Sequence, residues 1–192
     1  MKLIPTKQCE VLKTWPFTVE ELKFENRAHP YHRLLCPDWV NILPVSHHGK
    51  AILIRQFRIG CLSEILETPG GVIDKSDKSP SIAVERELEE ETGFCAERII
   101  SLGKLNPNPA IVKNKIYFFL GLGCRPVKNR VRFPDKDEHI ELVQVDYPQL
   151  MPLVQEGGID HCLSCLCIFL ASNYLNQHNI NFESGLNHDH SL

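Results

Sequence analysis

Residues 70–94 read GGVIDKSDKSPSIAVERELEEETGF, and they carry the strongest structural signal in the chain. Ser79 is suited to cap the N-terminus of a helix, Pro80 to occupy its first position and Gly93 to end it in a left-handed conformation. The pattern therefore predicts one helix between these residues. Pro69-Gly70-Gly71, just upstream, predicts a tight turn that leads into this segment.

The predicted helix concentrates negative charge. Five glutamates occupy the seven positions from Glu85 to Glu91. At about 100° of rotation per residue, Glu87, Glu90 and Glu91 share one face, whereas Glu85 and Glu89 point away from it. Like charges one turn apart destabilise a helix by about 0.2–0.5 kcal/mol per pair. A solvated acidic face is one interpretation, but the close punctuation of the helix favours a site for a divalent cation, which prefers oxygen ligands.

The overall composition is that of an ordinary globular protein. The chain has 192 residues, of which 43% are apolar and 23% charged, a size that buries about 70% of the surface of the unfolded chain in one domain. The net charge is −3, and no cluster of lysines and arginines stands out, which argues against a nucleic-acid partner. No apolar stretch approaches about 18 residues, which argues against a membrane span.

The eight cysteines are predicted to be free thiols. The only close group, Cys162-x-x-Cys165-x-Cys167, falls in the apolar run 163–170, which is typical of a buried helix where cysteine packs as a small apolar side chain. No signal peptide is evident at the start of the chain. The sequence therefore predicts a protein of the reducing cytoplasm.

Strand patterns surround the acidic helix. The predicted strands are Trp39 to Val45 and Ala51 to Phe57, joined as a hairpin, then 99–103, a central strand over 115–122 and a further strand over 138–146. Upstream, Val11 to Trp15 is predicted as a strand, and Thr18 to Glu21 is compatible with either a strand or a helical turn.

Two helices are predicted near the end of the chain. A short one covers residues 147–155, and a longer one begins at about His161 with Asp160 as its N-cap and continues to Tyr174. Residues 176–192 are polar and are predicted to form a flexible tail. This order of elements favours an α/β fold with a mixed sheet between helices.

The acidic segment resembles the Nudix box, G-x5-E-x7-R-E-U-x-E-E-x-G-U, where U is a bulky apolar residue. The second half of the box matches fully, at Arg86, Glu87, Leu88, Glu90, Glu91, Gly93 and Phe94. The first half departs from it. Counted forward from Gly71, Asp77 stands at the position of the glutamate, but Arg86 then lies one residue too far along the chain. Counted back from Arg86, Lys78 stands where the glutamate is expected. A one-residue insertion, with Asp77 or Asp74 as the replacement, accounts for the difference.

The resemblance extends over residues 38–175 and is strongest toward bacterial ADP-ribose pyrophosphatases. The further matching segments are 38–41, 55–58, 67–71, 108–110 and 158–161. The resemblance implies an α/β/α sandwich for residues 38–175, with 1–37 as an N-terminal β-rich part of the same unit that serves as a dimerisation element. It also implies a homodimer.

The same resemblance implies a set of metal ligands. Glu87 and Glu91 would be the main ligands of Mg²⁺ or Mn²⁺, Glu90 would add a further oxygen, and the Gly70 carbonyl would complete the shell. Arg86 would orient the glutamates through a salt bridge. The reaction implied is hydrolysis of a nucleoside diphosphate linked to another group. The negative charges of the diphosphate repel a nucleophile, and such cations would neutralise them.

Other roles are implied for residues outside the box. Glu138 is preferred as general base over Glu141, and Glu90 is the alternative if the loop that carries both is only a solvated loop. Arg58 and Pro109, which lies sixteen positions after Gly93, are implied to contact the substrate. Adenine would stack on an aromatic residue of the N-terminal part, for which Phe24, Tyr31 and Trp39 are available.

The expected substrate is a small nucleotide, with ADP-ribose, cleaved to AMP and ribose 5-phosphate, as the first hypothesis. Another nucleotide sugar, such as GDP-mannose or UDP-glucose, is the alternative within the same chemistry. A module that binds ADP-ribose without cleaving it is the alternative from another class. The retention of three box glutamates favours an enzyme over such a module.

Overall fold

The computed structural model describes residues 4–134 and 139–182. Its strands, in chain order, are β1 (Lys7–Lys13), β2 (Thr18–Lys23), β3 (Tyr31–Leu35), β4 (Trp39–Ser46), β5 (Lys50–Arg58), β6 (Ser63–Glu67), β7 (Gly70–Val72), β8 (Phe94–Cys95), β9 (Arg98–Leu105), β10 (Val112–Lys113), β11 (Ile116–Pro126) and β12 (Ile140–Asp146). The α-helices are α1 (Pro80–Thr92), α2 (Leu150–Gln155), which follows the 3₁₀ turn Tyr147–Gln149, and α3 (Cys162–Gln177).

The main sheet is mixed, as predicted. β11 lies at its centre, because it pairs in parallel with β4 on one edge and antiparallel with β9 on the other. β5 continues the sheet beyond β4 and carries β12 on its outer edge. The hairpin of β4 and β5 is also confirmed, with Val45 opposite Ala51 at its closed end.

Each face of the main sheet is covered by helices, which confirms the α/β/α architecture. Because side chains alternate between the two faces of a strand, Val40 and Ile42 of β4 pack on one side against Ala83, Val84 and Leu88 of α1. The opposite face packs against α2 and α3. The buried residues of that second core are Leu43, Val45, Ala51, Leu53, Ile116, Phe118, Leu120, Leu150, Ile159, Cys167, Ile168, Ala171 and Leu175.

The N-terminal segment forms a second sheet in the order β1-β2-β3-β10. Residues Thr18–Lys23 are a strand, which settles the choice left open by the sequence. The first strand is Lys7–Lys13, so it begins earlier than predicted and ends before Trp15. Since Val112 of β10 pairs with Leu34 of β3, this sheet is joined to the rest of the domain.

The predicted turn at Pro69-Gly70-Gly71 is wrong. Gly70 and Gly71 begin β7, which pairs antiparallel with Asn41 and Val40 of β4. A Cβ on Gly70 would lie 2.3 Å from the Val40 carbonyl oxygen. Glycine therefore serves here for the close approach of two strands rather than for a reversal of the chain.

Three predictions in the C-terminal part also need correction. Helix α3 begins one residue later than expected, so that His161 and not Asp160 is its N-cap, without a side-chain capping bond. Cys167 is buried, but Cys162 is exposed on the first turn. Within the predicted tail 176–192, Asn176 and Gln177 instead belong to α3, and Ile180 and Phe182 pack against the core; residues 183–192 lie outside the described residues.

Within the described ranges, none of the helices has both the length and the apolar character that crossing a membrane requires.

Candidate active site

The acidic helix lines a cavity of about 440 Å³, called the acidic cavity below. Its walls come from α1, β7, the start of β4, the end of β5 and three connecting segments. The lining residues are Trp15, Pro16, Trp39, Gln56, Arg58, Gly70, Gly71, Val72, Asp74, Arg86, Glu87, Glu90, Glu91, Phe133 and Pro134. Three of the five glutamates of the helix are in this set, and they are the three predicted to share one face.

Helix α1 is held at both ends as the sequence predicts. The Ser79 hydroxyl accepts a hydrogen bond from the Ile82 N–H, and Pro80 occupies the first turn. Gly93 ends the helix with a φ of 73°, and its N–H donates to the Glu89 carbonyl at 2.9 Å. Leu88 packs in the core beside these glutamates, and Glu87, Glu90 and Glu91 line the acidic cavity.

Arg86 is the centre of the charge network in this cavity. Its Nη1 donates to Glu87 at 2.9 Å and to Glu90 at 2.7 Å, and its Nη2 donates to Asp77 and to the Val72 carbonyl, each at 2.9 Å. Burial alone would lower the pKa of Arg86, but the three carboxylates outweigh it and raise that pKa above its usual range. The guanidinium is therefore a permanent cation that fixes three acidic side chains.

Asp77 occupies the position where the sequence departs from the box. Its carboxylate binds the Arg86 guanidinium, accepts a hydrogen bond from the Asp74 N–H at 2.8 Å and is only 5% exposed. The bond from Arg86 lowers the pKa of Asp77. Asp74, the other replacement considered, lies 3.7 Å from Arg86 and is 54% exposed. Asp77 is thus the side chain that the structure joins to the network.

The two glycines of β7 contact the remaining glutamates. The Gly70 N–H donates to Glu91 at 2.8 Å. At Gly71, a Cβ would stand 2.4 Å from a Glu87 carboxylate oxygen. Glycine at both positions brings the strand and the helix close enough for backbone groups and carboxylates to meet, whereas any larger residue at Gly71 would displace Glu87.

The donor set of the acidic cavity fits a hard divalent cation. It consists of carboxylate and backbone oxygens, which Mg²⁺ and Mn²⁺ prefer over nitrogen or sulfur. Over residues 4–134 and 139–182, no three acidic, histidine or cysteine side chains stand in an arrangement ready to hold an ion. Glu87 and Glu90 each bind Arg86 through one carboxylate oxygen, and a carboxylate can accept such a bond while its other oxygen binds a metal.

The structure brings some other predicted residues to this cavity and leaves others elsewhere. Arg58 lines it, and its Nε and Nη2 donate to the two oxygens of Glu67 at 2.6 and 2.9 Å. Glu138 lies outside the described residues. Glu141 pairs with Arg55, so its 66% exposed side chain is on the sheet face opposite to that of Gln56, which lines the cavity.

A second cavity, of about 700 Å³, lies between the N-terminal sheet and residues 106–115 and is called the basic cavity below. It contains Pro109, together with the edge-to-face pair of Phe24 and Tyr31, whose ring centroids are 5.8 Å apart. Its charged lining residues are Arg27, Arg33, Asp38, Lys113 and Lys115. Pro109 and the box glutamates are therefore in separate cavities, and of the three aromatic candidates only Trp39 lines the acidic one.

Several residues of the acidic cavity are not indicated by the sequence. Trp15 and Phe133 are exposed aromatic side chains at its wall. Gln56 is buried there, and the Nε2 atom of its side chain has no hydrogen-bond partner among the described residues. The alternation of β5 could have placed Gln56 beside Arg58. Nothing in the local pattern around Trp15 or Phe133 indicates which surface they face.

Comparison with known proteins identifies relatives. The NUDIX domain family matches residues 37–161. The ADP-ribose pyrophosphatase of Bacillus subtilis (strain 168) is 28% identical over 159 residues, which is 82% of this chain and 85% of that protein. The GDP-mannose pyrophosphatase of Enterobacter sp. (strain 638) is 26% identical over 114 residues, 56% of this chain and 59% of that protein. The crystal structure of an ADP compounds hydrolase, 26% identical, superimposes with a TM-score of 0.80 over 94% of this chain and 98% of that one.

Proposed function

Because this chain belongs to the NUDIX domain family, we propose that it hydrolyses the pyrophosphate bond of a nucleoside diphosphate sugar, with ADP-ribose as the preferred substrate and AMP and ribose 5-phosphate as products. The observation that carries the proposal is the acidic cavity, in which Glu87, Glu90 and Glu91 line one wall and Arg58 another. Carboxylates suit a divalent cation, and a guanidinium suits a phosphate.

The box residues hold the metal in this proposal. Glu87 and Glu91 are its main ligands, Glu90 contributes a further oxygen and the Gly70 carbonyl completes the set. Hydrolases of this family generally depend on divalent ions, and Mg²⁺, or Mn²⁺ in its place, would supply charge neutralisation of the diphosphate and acidification of a water molecule. Arg86 keeps the glutamates oriented, since it already binds Glu87 and Glu90.

The remaining roles concern the proton and the substrate. Glu138, which the sequence favours, is the proposed acceptor of the proton from the attacking water. Glu90, which lines the cavity, is the alternative, and comparing Glu90→Gln with Glu138→Gln separates the two. Arg58 binds a phosphate group of the substrate, and Trp39 offers an aromatic surface on which the adenine ring can stack. Pro109, in the basic cavity, keeps its predicted substrate contact only if the bound nucleotide reaches that cavity.

The choice of ADP-ribose rests on the first-named relative, and a substrate panel tests it. The protein is incubated with Mg²⁺ and equal concentrations of ADP-ribose, GDP-mannose or UDP-glucose, and the products are separated by ion-exchange chromatography. We expect kcat/KM to be highest for ADP-ribose, with AMP as the nucleotide product. A higher value for GDP-mannose would instead assign the activity named for the Enterobacter relative.

Substitution of a proposed ligand distinguishes the enzyme from a module that only binds ADP-ribose. We expect Glu91→Gln to lower kcat by a factor of about 100 or more, because it weakens the electrostatic stabilisation of the transition state, while the melting temperature changes little. Glu85→Gln, an exposed position on the same helix, is the matched control and should keep wild-type activity. A wild-type protein that binds ADP-ribose tightly but never cleaves it would favour the binding module.

We further propose that the protein is a cytoplasmic homodimer without nucleic-acid or membrane partners. The N-terminal sheet supports the dimer, because its outer strand β1 is almost entirely exposed and offers an unpaired edge. The eight cysteines, all of them unpaired, support a reducing compartment. Light scattering during gel filtration tests the dimer, and a mass equal to that of one chain would exclude it.

A further inference from the structure

The inference concerns the way in which Arg58 is held at the wall of the acidic cavity. Arg58 stands at the end of β5, and its guanidinium makes a two-bond contact with Glu67, the last residue of β6. The two side chains differ sharply in exposure, since Arg58 is 46% exposed and Glu67 only 1%. The carboxylate is therefore the fixed partner of the pair, and the guanidinium is the part that reaches the cavity.

Glu67 also binds a second group that can carry positive charge. The Nδ1 atom of His161, the residue that precedes α3, lies 2.7 Å from the Glu67 carboxylate. Burial, the largest single influence, would raise the pKa of Glu67, but the hydrogen bonds from His161 and Arg58 outweigh it and that pKa is lowered. One buried carboxylate is thus ionised between an imidazole and a guanidinium.

The first turn of α3 anchors this arrangement more widely. The Ser164 hydroxyl is 3.1 Å from His161 Nδ1 and accepts a hydrogen bond from the Thr68 N–H at 3.0 Å. The Thr68 hydroxyl in turn donates to Asn41 of β4 at 2.7 Å. Ser164, Thr68 and Asn41 are all buried. The same turn of α3 therefore holds both Glu67 and its neighbour in the segment that continues into β7.

We propose that Glu67 and His161 are positioning residues, which hold the Arg58 guanidinium at the wall of the acidic cavity so that it binds a phosphate group of the substrate. The proposal rests on the function given above. A purely structural role is a weaker explanation of this arrangement, because a buried ion pair seldom adds net stability compared with apolar side chains of the same size. A guanidinium whose direction is fixed, by contrast, loses less entropy when it binds a phosphate.

The test removes the imidazole and then restores one of its donors. In His161→Ala we expect KM for ADP-ribose to rise about tenfold, the effect of one lost charge-assisted hydrogen bond, while kcat changes less than twofold, because phosphate binding is lost equally from the ground state and the transition state. His161→Asn, whose side-chain amide can donate from near the Nδ1 position, should recover most of the affinity. A kcat loss with unchanged KM in His161→Ala would overturn the proposal.

A double-mutant cycle separates positioning from general weakening of the fold. If His161 acts through Arg58, then His161→Ala should have little further effect on KM in the background of Arg58→Met. A full tenfold effect in that background would contradict the proposal, whatever the melting temperatures. Ser172→Ala, on a later turn of α3, is the control for changes in that helix and should leave KM unchanged.

Calorimetry with inorganic pyrophosphate distinguishes failure of this inference from failure of the proposed function. If the wild type binds pyrophosphate in EDTA and His161→Ala weakens that binding only when Arg58 is present, the positioning role stands even for a protein that cleaves none of the three nucleotide sugars. If the wild type cleaves ADP-ribose but pyrophosphate binding is unchanged in His161→Ala, the function stands and the positioning role does not. Absence of both activities in the wild type would overturn both.

Discussion

Two arginines line the acidic cavity, and their surroundings are opposite in charge balance. Arg86 is one cation among three carboxylates, those of Asp77, Glu87 and Glu90. Around Glu67, one carboxylate lies between two groups that can carry positive charge, Arg58 and His161. The first cluster retains a surplus of negative charge and the second does not.

This difference explains how one cavity can receive both a cation and an anion. In the proposed function, the helix side, with its unbalanced carboxylates, would attract a divalent ion. The β5 side presents a guanidinium held in place by a carboxylate that is itself out of contact with solvent. A diphosphate that bridges the two sides would meet a charge of opposite sign at each of them. The two arginines therefore have different tasks, and substitutions should affect them differently.

The largest expected effect comes from Arg86→Met compared with Arg58→Met. Loss of Arg86 leaves Asp77, which is only 5% exposed, without its cation, and breaking a buried pair in this way costs about 3–5 kcal/mol. Loss of Arg58 leaves Glu67 bonded to His161, so we expect a clearly smaller loss. Urea denaturation of both variants measures the free energy of unfolding directly.

Activity measurements add a second criterion to that pair. Arg86→Met should lower kcat strongly, because three carboxylates lose their orientation, whereas Arg58→Met should act mainly through KM. If both variants lost the same stability and the same share of their activity through kcat and through KM, the surplus of negative charge around Arg86 would affect neither stability nor catalysis. Arg55→Met, an exposed position on β5, serves as the control.

How much of this could be predicted from the sequence depends on whether a feature is local. The caps Ser79 and Gly93, the glutamate face of α1 and the core hairpin follow from spacing alone, and all are found in the structure. The contact of His161 with Glu67 could not be predicted, because it joins residues 94 positions apart whose approach depends on how α3 packs on the sheet. The same holds for Trp15 and Phe133 at the cavity wall.

The wrong predictions have a related cause. The sequence predicts a turn at Gly70 and Gly71 because glycine pairs usually mark one. In the structure, the missing Cβ instead lets Gly70 approach the Val40 carbonyl and Gly71 approach the Glu87 carboxylate. Likewise, Ile180 and Phe182 were hidden in a polar stretch that predicts a tail. In each case a long-range contact determines the role of the residue, and periodicity within a short window carries no information about it.

The next expected effect is a dependence of stability on pH at Asp77. Its pKa is lowered in the folded protein, so its ionised form stabilises the fold above the unfolded-state pKa of about 3.9. That stabilisation is lost as the pH falls through the lowered, folded-state pKa. We therefore expect Asp77→Asn to be less stable than the wild type at pH 7, by about 1–3 kcal/mol, and this difference to shrink below pH 4.

Urea titrations at pH 7, 5, 4 and 3 measure this difference. Asp74→Asn is the matched control, since Asp74 is largely exposed and more distant from Arg86, and it should change stability little at any of these values. If the stability deficit of Asp77→Asn stays constant down to pH 3, the loss comes from packing rather than from the negative charge of the Asp77 carboxylate.

The smallest expected effect concerns a third arginine, Arg132, which contacts a glutamate of α1 outside the acidic cavity. Arg132 donates to Glu89 at 2.9 Å and is 46% exposed, whereas Glu89, which also accepts hydrogen bonds from the Val131 and Arg132 N–H groups, is 13% exposed. Because the guanidinium is about half exposed and Glu89 keeps its two backbone hydrogen bonds without it, the pair contributes about 0–1 kcal/mol. Arg132→Met should change the free energy of unfolding by no more than that, and 0.5 M salt should weaken even this difference. If Arg132→Met were as destabilising as Arg86→Met, then contact with any glutamate of α1 would be what stabilises the helix. In that case neither burial nor the number of carboxylates around each guanidinium would explain why Arg86 differs from Arg58.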